Sequence, residues 1–269
     1  MNTIRYVGPF KEHIQNHIDL KQSLGYKYVS EAVHLKRFDL FTAENYDSAT
    51  TLTKEIVLSW CSKKSFEAQE NQCSRASMIR QFSLYLDNIG VKAYIMPKNY
   101  YPSGNQYVPH IYSVEELNRF FRETEKCHFS SECPDRQLIM PVLFRMLYAC
   151  GLRVSEARLL AVADVDLKAG ILTVNQSKKD KSRLVPMSDS LVTRCRHYSD
   201  ALHHHTNRGD DYYFPAPGGK AITLGNVYKN FRKFLWKAGI SHGGRGKGPR
   251  VHDFRYPNLK KIQTNSNKT

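Results

Sequence analysis

The sequence has six cysteines (Cys61, Cys73, Cys127, Cys133, Cys150, Cys195) but no Cys-x-x-Cys pair and no His or Cys spacing of the zinc-ligand kind. A disulfide framework and a structural metal are both disfavoured, which points to a reducing, cytoplasmic setting. His203, His204 and His205 form a short run that reads as surface loop, and no metal is assigned. No apolar stretch approaches the roughly 20 residues of a membrane span, and no charged segment followed by an apolar run opens the chain. The expectation is a soluble protein with no membrane partner. Internal repeats and low-complexity blocks are missing too, so solenoid and coiled-coil architectures drop out. Acidic residues are scarce: 25 Asp and Glu stand against 40 Lys and Arg, a net charge of +15.

What is present is a chain of 269 residues, 41% of them hydrophobic, enough for one large or two ordinary cores. The excess of Lys and Arg makes a polyanion the expected partner, because these side chains gain most where phosphates have condensed counterions to release. The charge is uneven. Residues 1–95 carry 12 basic and 10 acidic side chains, whereas residues 96–269 carry 28 and 15. From Lys229 onward there are eleven Lys or Arg and one acid, Asp253. Nucleic acid is therefore the leading partner class, gripped mainly by the second half.

Apolar periodicity divides the chain further. Ile14, Ile18, Leu20 and Leu24 precede Gly25; Val33, Leu35, Phe38 and Phe41 recur at helical spacing; Leu52, Ile56, Val57 and Trp60 make a third face; and Ile79, Phe82, Leu84, Tyr85 and Leu86 a fourth. Residues 1–95 thus read as a domain of four or five helices. The segment MPKNYYPSGNQYVP, with three prolines and a glycine, is taken as a linker over residues 96–109. The second domain, 110–269, opens on Ser113-Val-Glu-Glu116, a capping box that should start a helix near residue 114. A second helix is expected from about Pro134 to Gly151. Ile171–Val174 and Leu184–Val185 flank the polar segment 175–183 as in a hairpin with a basic tip. Helices resume around Leu191 and over Val227–Trp236. The fold class is mainly α with a small β-sheet or hairpin.

Three basic clusters stand out: GLRVSEARLL at 151–160, SKKDKSRLVPM at 177–187 and VHDFR at 251–255. Each alone is weak, since an Arg and a Glu at helical spacing usually form an ordinary surface ion pair. Together, in this order, they resemble the tyrosine recombinase (phage integrase) family. Its catalytic set is an Arg, a hairpin Lys, an H-x-x-R pair, a second His or Trp, and a Tyr. The match covers most of the second half. The helical first half, with K-x-x-L-G-Y at 21–26, is similar to that family's SAM-like core-binding domain. The resemblance implies Arg153 as the first arginine, Lys178 as the hairpin lysine, His252 and Arg255 as the H-x-x-R pair, and Glu156 as the supporting acid. Lys179 and Lys181 compete for the hairpin role; Lys178 is favoured by its spacing to Arg183-Leu-Val-Pro186.

The residue types suit the chemistry. A phosphodiester attacked by a tyrosine oxygen gathers charge on its non-bridging oxygens, and two permanently ionised forks such as Arg153 and Arg255 can clamp it without a metal ion or other cofactor. A lysine can donate a proton to the leaving 5′ oxygen, and the His252 imidazole can shuttle the nucleophile's proton. After Arg255 only YPNLKKIQTNSNKT remains, and Pro257 opposes a helix there. Tyr256 adjoins Arg255 and is a poor nucleophile on that ground, so no nucleophile is assigned and the set is expected to be C-terminally incomplete. The expected partners are double-stranded DNA, further copies of the chain on DNA (a tetramer by resemblance), and an intact recombinase. The alternative is a binding-only DNA protein or regulator without strand cleavage.

Overall fold

In the computed structural model, residues 4–102, 107–131, 134–175, 182–202, 209–244 and 248–255 are described. The chain divides into two compact units, Met1–Gln106 and Tyr107–Thr269.

Among the described residues the first unit holds four helices: α1 (Lys11–Ser23), α2 (Val29–Asn45), α3 (Lys54–Cys61) and α4 (Gln69–Asn88). Helix α3 starts where Thr53 Oγ1 accepts the Ile56 N–H at 3.3 Å, satisfying one of the amides a helix start leaves open. Its apolar face, Ile56, Val57 and Trp60, is buried as the period requires. In α1 the face is rotated. Ile14 and Ile18 are buried, but Leu20 and Leu24 are 45% and 63% exposed, and the core is completed by Phe10 and His17. Asp39, fully buried on α2, accepts the N–H groups of Val7 and Gly8 at 2.8 and 2.7 Å, which fixes the chain's entry into α1. Met96 belongs to this core and takes Arg80 Nε on its carbonyl. The proline-rich segment is thus packed against the first unit at its start, while Tyr107 near its end belongs to the second.

The second unit holds α5 (Val114–Glu125), α6 (Arg136–Ala149), the short α7 (Val154–Arg158), α8 (Asp189–Leu202) and α9 (Leu224–Lys237). It also has strands β1 (Val165–Asp166), β2 (Ile171–Val174) and β3 (Arg183–Pro186), antiparallel in the order β1-β2-β3. The capping box is present: Ser113 Oγ accepts the Glu116 N–H and Glu116 Oε2 accepts the Ser113 N–H. In β2 the period of two buries Leu172 and Val174, and the register sets Val174 opposite Arg183. The core is aromatic at its centre, where Phe120 meets Phe121, Phe144, Phe231, Phe234 and Phe254 at centroid separations of 5.2 to 6.1 Å. These rings come from α5, α6, α9 and a closing 3-10 turn, Val251–Arg255, and their contact holds the unit's helices around the turn.

Candidate active site

Arg153 and Arg255 are 102 positions apart, and a single backbone turn brings them together. After α6 the chain reverses at Gly151, whose φ of +60° is a left-handed conformation that favours glycine at a helix end. Leu152 is then buried, and Arg153 precedes the first residue of α7. The Gly151 carbonyl, freed by that turn, accepts Arg255 Nε at 2.7 Å. The Gly-Leu-Arg sequence therefore does two things: it stops α6 and it docks the second arginine beside the first.

The closing 3-10 turn orients the other end. Residues three apart eclipse on such a turn, so His252 and Arg255 share one side. Between them Asp253 and Phe254 are buried at 1% and 0% exposure and face the interior. Phe254 packs on Tyr112, Phe120, Phe121, Tyr148 and Phe231. The Asp253 carboxylate takes the Tyr107 hydroxyl at 2.5 Å and the Arg250 N–H at 2.8 Å, and a longer bond from the His110 N–H. The Arg250 guanidinium stacks 3.4 Å over the Tyr107 ring. Just upstream, Gly248 lies so close to His242 that a Cβ would fall 1.4 Å from its carbonyl oxygen.

Glu156 is the charge centre of the site, with only 8% of its surface exposed. Its Oε1 accepts Arg153 Nη1 at 2.6 Å and Arg183 Nη1 at 3.0 Å. Its Oε2 accepts the Arg153 backbone N–H at 2.7 Å and Arg183 Nη2 at 2.7 Å. All the lone-pair positions of a carboxylate are thereby used. Burial alone would raise its pKa, but the Arg183 fork and both Arg153 contacts outweigh that and hold it at about 2. Reciprocally, the bond to Glu156 raises the pKa of Arg183. Arg255 is lowered by burial and then by the Arg153 charge, with Glu156 opposing; a guanidinium in that position is still ionised at neutral pH. Partial burial of the ring, and next the Arg255 charge, hold His252 below the ordinary imidazole range against the pull of Asp253. At neutral pH it is uncharged and can accept a proton. Three guanidiniums against one carboxylate leave two positive charges in excess at this point.

Of the residues singled out in the sequence, the structure brings Arg153, Glu156, His252 and Arg255 into one electrostatic cluster. Lys178, with its neighbours Lys179 and Lys181, lies outside the described residues, as do Tyr256 and His203–His205. The sequence reading missed Arg183 as a partner of Glu156, and Tyr107 and Gly248 as supports of the H-x-x-R turn. Arg183 stood inside a quoted cluster, but no periodicity links it to a residue 27 positions earlier on a different element. Among the described residues no group of three or more His, Cys, Asp or Glu side chains could hold a metal, and no helix is long and apolar enough to cross a membrane.

Comparison with known proteins places this geometry in a family. Residues 112–259, more than half of the chain, match the model of the phage integrase family. A Sinorhizobium fredii protein described as "Putative integrase/recombinase y4rB" is 28% identical over 255 residues, 93% of this chain and 80% of that protein. Tyrosine recombinase XerD of Proteus mirabilis is 32% identical over 115 residues, 41% of this chain and 36% of its own. Among solved structures, the XerH site-specific recombinase bound to a palindromic difH substrate has a TM-score of 0.64 at 18% identity, covering 87% of this chain and 68% of that one. A lambda integrase dimer bound to a core site has a TM-score of 0.62 at 13% identity, covering 91% and 83%. At such identities the structural likeness speaks to the fold, while the family match speaks to descent. The chain belongs to the phage integrase family, the tyrosine recombinases.

Proposed function

We propose that this chain works on duplex DNA as a site-specific recombinase, and that Arg153 and Arg255 clamp the phosphodiester at which strands are exchanged. The observation that carries this reading is the pairing of two guanidiniums, Arg153 and Arg183, on one saturated carboxylate, with a third, Arg255, docked on Gly151 within reach of their charges, beside a histidine held neutral. A cluster with that surplus of charge matches the anionic oxygens of a phosphoryl-transfer transition state, and its donors are ordered before substrate arrives. In this reading Lys178 protonates the leaving oxygen, His252 moves the nucleophile's proton, and Glu156 holds Arg153 in place. The helical first unit supplies a second DNA contact. Solved relatives of like fold are recombinases bound to DNA, which supports the partner class. We further propose that copies of the chain associate on DNA.

In a second form of the reading, the chain occupies a recombination site without cutting it. The experiment uses duplexes selected from a random pool for binding to the chain, then re-made with nicks. Loss of binding in Arg153→Ala and Arg255→Ala beyond that in Arg194→Ala, a partly exposed arginine paired with Glu125, supports the clamp. Equal losses in all three would reduce it to a generic electrostatic grip. A covalent protein–DNA adduct on the nicked duplexes separates an active recombinase from the binding-only form.

A further inference from the structure

The Glu156 carboxylate is contested by two arginines, and they divide it unequally. Arg183 takes it as a fork, with Nη1 on Oε1 and Nη2 on Oε2. Arg153 reaches it with one side-chain nitrogen, Nη1, and with its backbone N–H. Each carboxylate oxygen then carries two donors, so no position is left for a second side-chain nitrogen of Arg153. Arg183 sits on β3 opposite Val174, where strand pairing fixes its backbone, on a different element from the turn that carries Arg153. Arg153 and Arg183 keep 38% and 35% of their side-chain surface exposed, whereas the Glu156 side chain keeps 5%.

We infer that Arg183 is a positioning residue for the phosphate clamp: by occupying both oxygens of Glu156 it prevents that carboxylate from closing on Arg153 as a fork, and so leaves one edge of the Arg153 guanidinium free for a phosphate. A planar guanidinium offers a carboxylate and a phosphate the same bidentate geometry, so an unopposed Glu156 would compete directly with substrate for Arg153. With Arg183 present the competition is removed and the bond that remains, Nη1 to Oε1, serves only to orient. This inference rests on the clamp reading of Arg153 and adds to it the source of that residue's availability.

The test uses the full chain, inorganic phosphate as the probe, and arginine side-chain nitrogen NMR, with the Arg153 and Arg255 signals assigned by substitution. In Arg183→Ala the Arg153 fork should close on Glu156. Rotation about its Nε–Cζ bond should slow, and its phosphate affinity should fall on the order of tenfold, the scale of one charge-assisted hydrogen bond. Arg183→Lys keeps the charge but not the fork, and should fall in the same direction. Adding Glu156→Gln to Arg183→Ala should restore part of the affinity, because a neutral amide does not hold a guanidinium as a carboxylate does. Arg183→Lys at wild-type affinity would overturn the inference, as would a double variant no better than Arg183→Ala, since Arg183 would then act through its charge or through stability alone. Arg153→Ala keeps the two readings apart: no loss of phosphate affinity there removes the clamp itself, whereas a loss there with an inert Arg183 removes only the positioning role.

Discussion

Glu156→Gln is the most informative single change for the energetics of the site. The carboxylate is buried and takes four hydrogen bonds from two arginines, with Arg255 close enough to feel its charge. A fall in pKa from 4.5 to about 2 corresponds to about 3 kcal/mol at 1.36 kcal/mol per pH unit. Because the two arginine side chains are more than a third exposed, solvent screening lowers this to about 2 kcal/mol. The folded-state pKa is depressed, so the contribution is fully present above pH 4.5 and is lost as pH falls towards 2. Urea unfolding of wild type and Glu156→Gln, followed by fluorescence, should therefore show a gap of about 2 kcal/mol that is constant from neutral pH down to about 5 and closes on further acidification. A gap below about 0.5 kcal/mol at neutral pH, the usual scatter of surface substitutions, would refute the account. So would a gap that does not change with pH, because the loss would then come from shape and not from charge.

Three other expectations can be checked in the same way. His17 is buried among Tyr28, Phe82 and Tyr85, and burial, reinforced by Lys21, lowers its pKa from 6.5 to about 4. Protonation then opposes folding, so stability should drop as pH falls from 6.5 towards 4, and His17→Phe should flatten that slope in the same urea series. Gly248→Ala sets a methyl 1.4 Å from the His242 carbonyl oxygen, and thermal melts should show a loss of about 2 kcal/mol or more as the loop shifts to relieve it. Tyr107→Phe withdraws one donor from the buried Asp253 carboxylate and should cost about 1 to 3 kcal/mol. Its effect on binding to selected duplexes should be smaller than that of Arg255→Ala; an equal effect would mean that Tyr107 itself faces DNA.

Most of the second unit's framework could be read from the chain because its signals are local. The Ser113–Glu116 box marks the start of α5, the alternation in Ile171–Val174 makes a half-buried strand, and the spacing of Val227, Phe231 and Phe234 gives the buried face of α9, although Trp236 within the same pattern is exposed. Helical spacing was less informative for α1, where Leu20 and Leu24 fit the pattern yet face solvent while His17 is inside. Periodicity reports which residues can share a face, but the packing of α2 and α4 decides which way that face turns.

The sequence by itself determined the basic partner preference, the mainly helical class and the order of the motif residues Arg153, Lys178, His252 and Arg255, because charge, period and motif spacing are properties of a line. Tertiary structure decided what those residues do to one another. That Arg255 docks on the Gly151 carbonyl, that Asp253 is tied to Tyr107, and that Arg183 occupies Glu156 are contacts across 27 to 146 positions. They arise because the aromatic core fixes where α6 and the closing turn meet, while pairing with β2 fixes β3. A burial of that kind converts an ordinary Arg–Glu spacing into a saturated charge centre, and no local pattern encodes it.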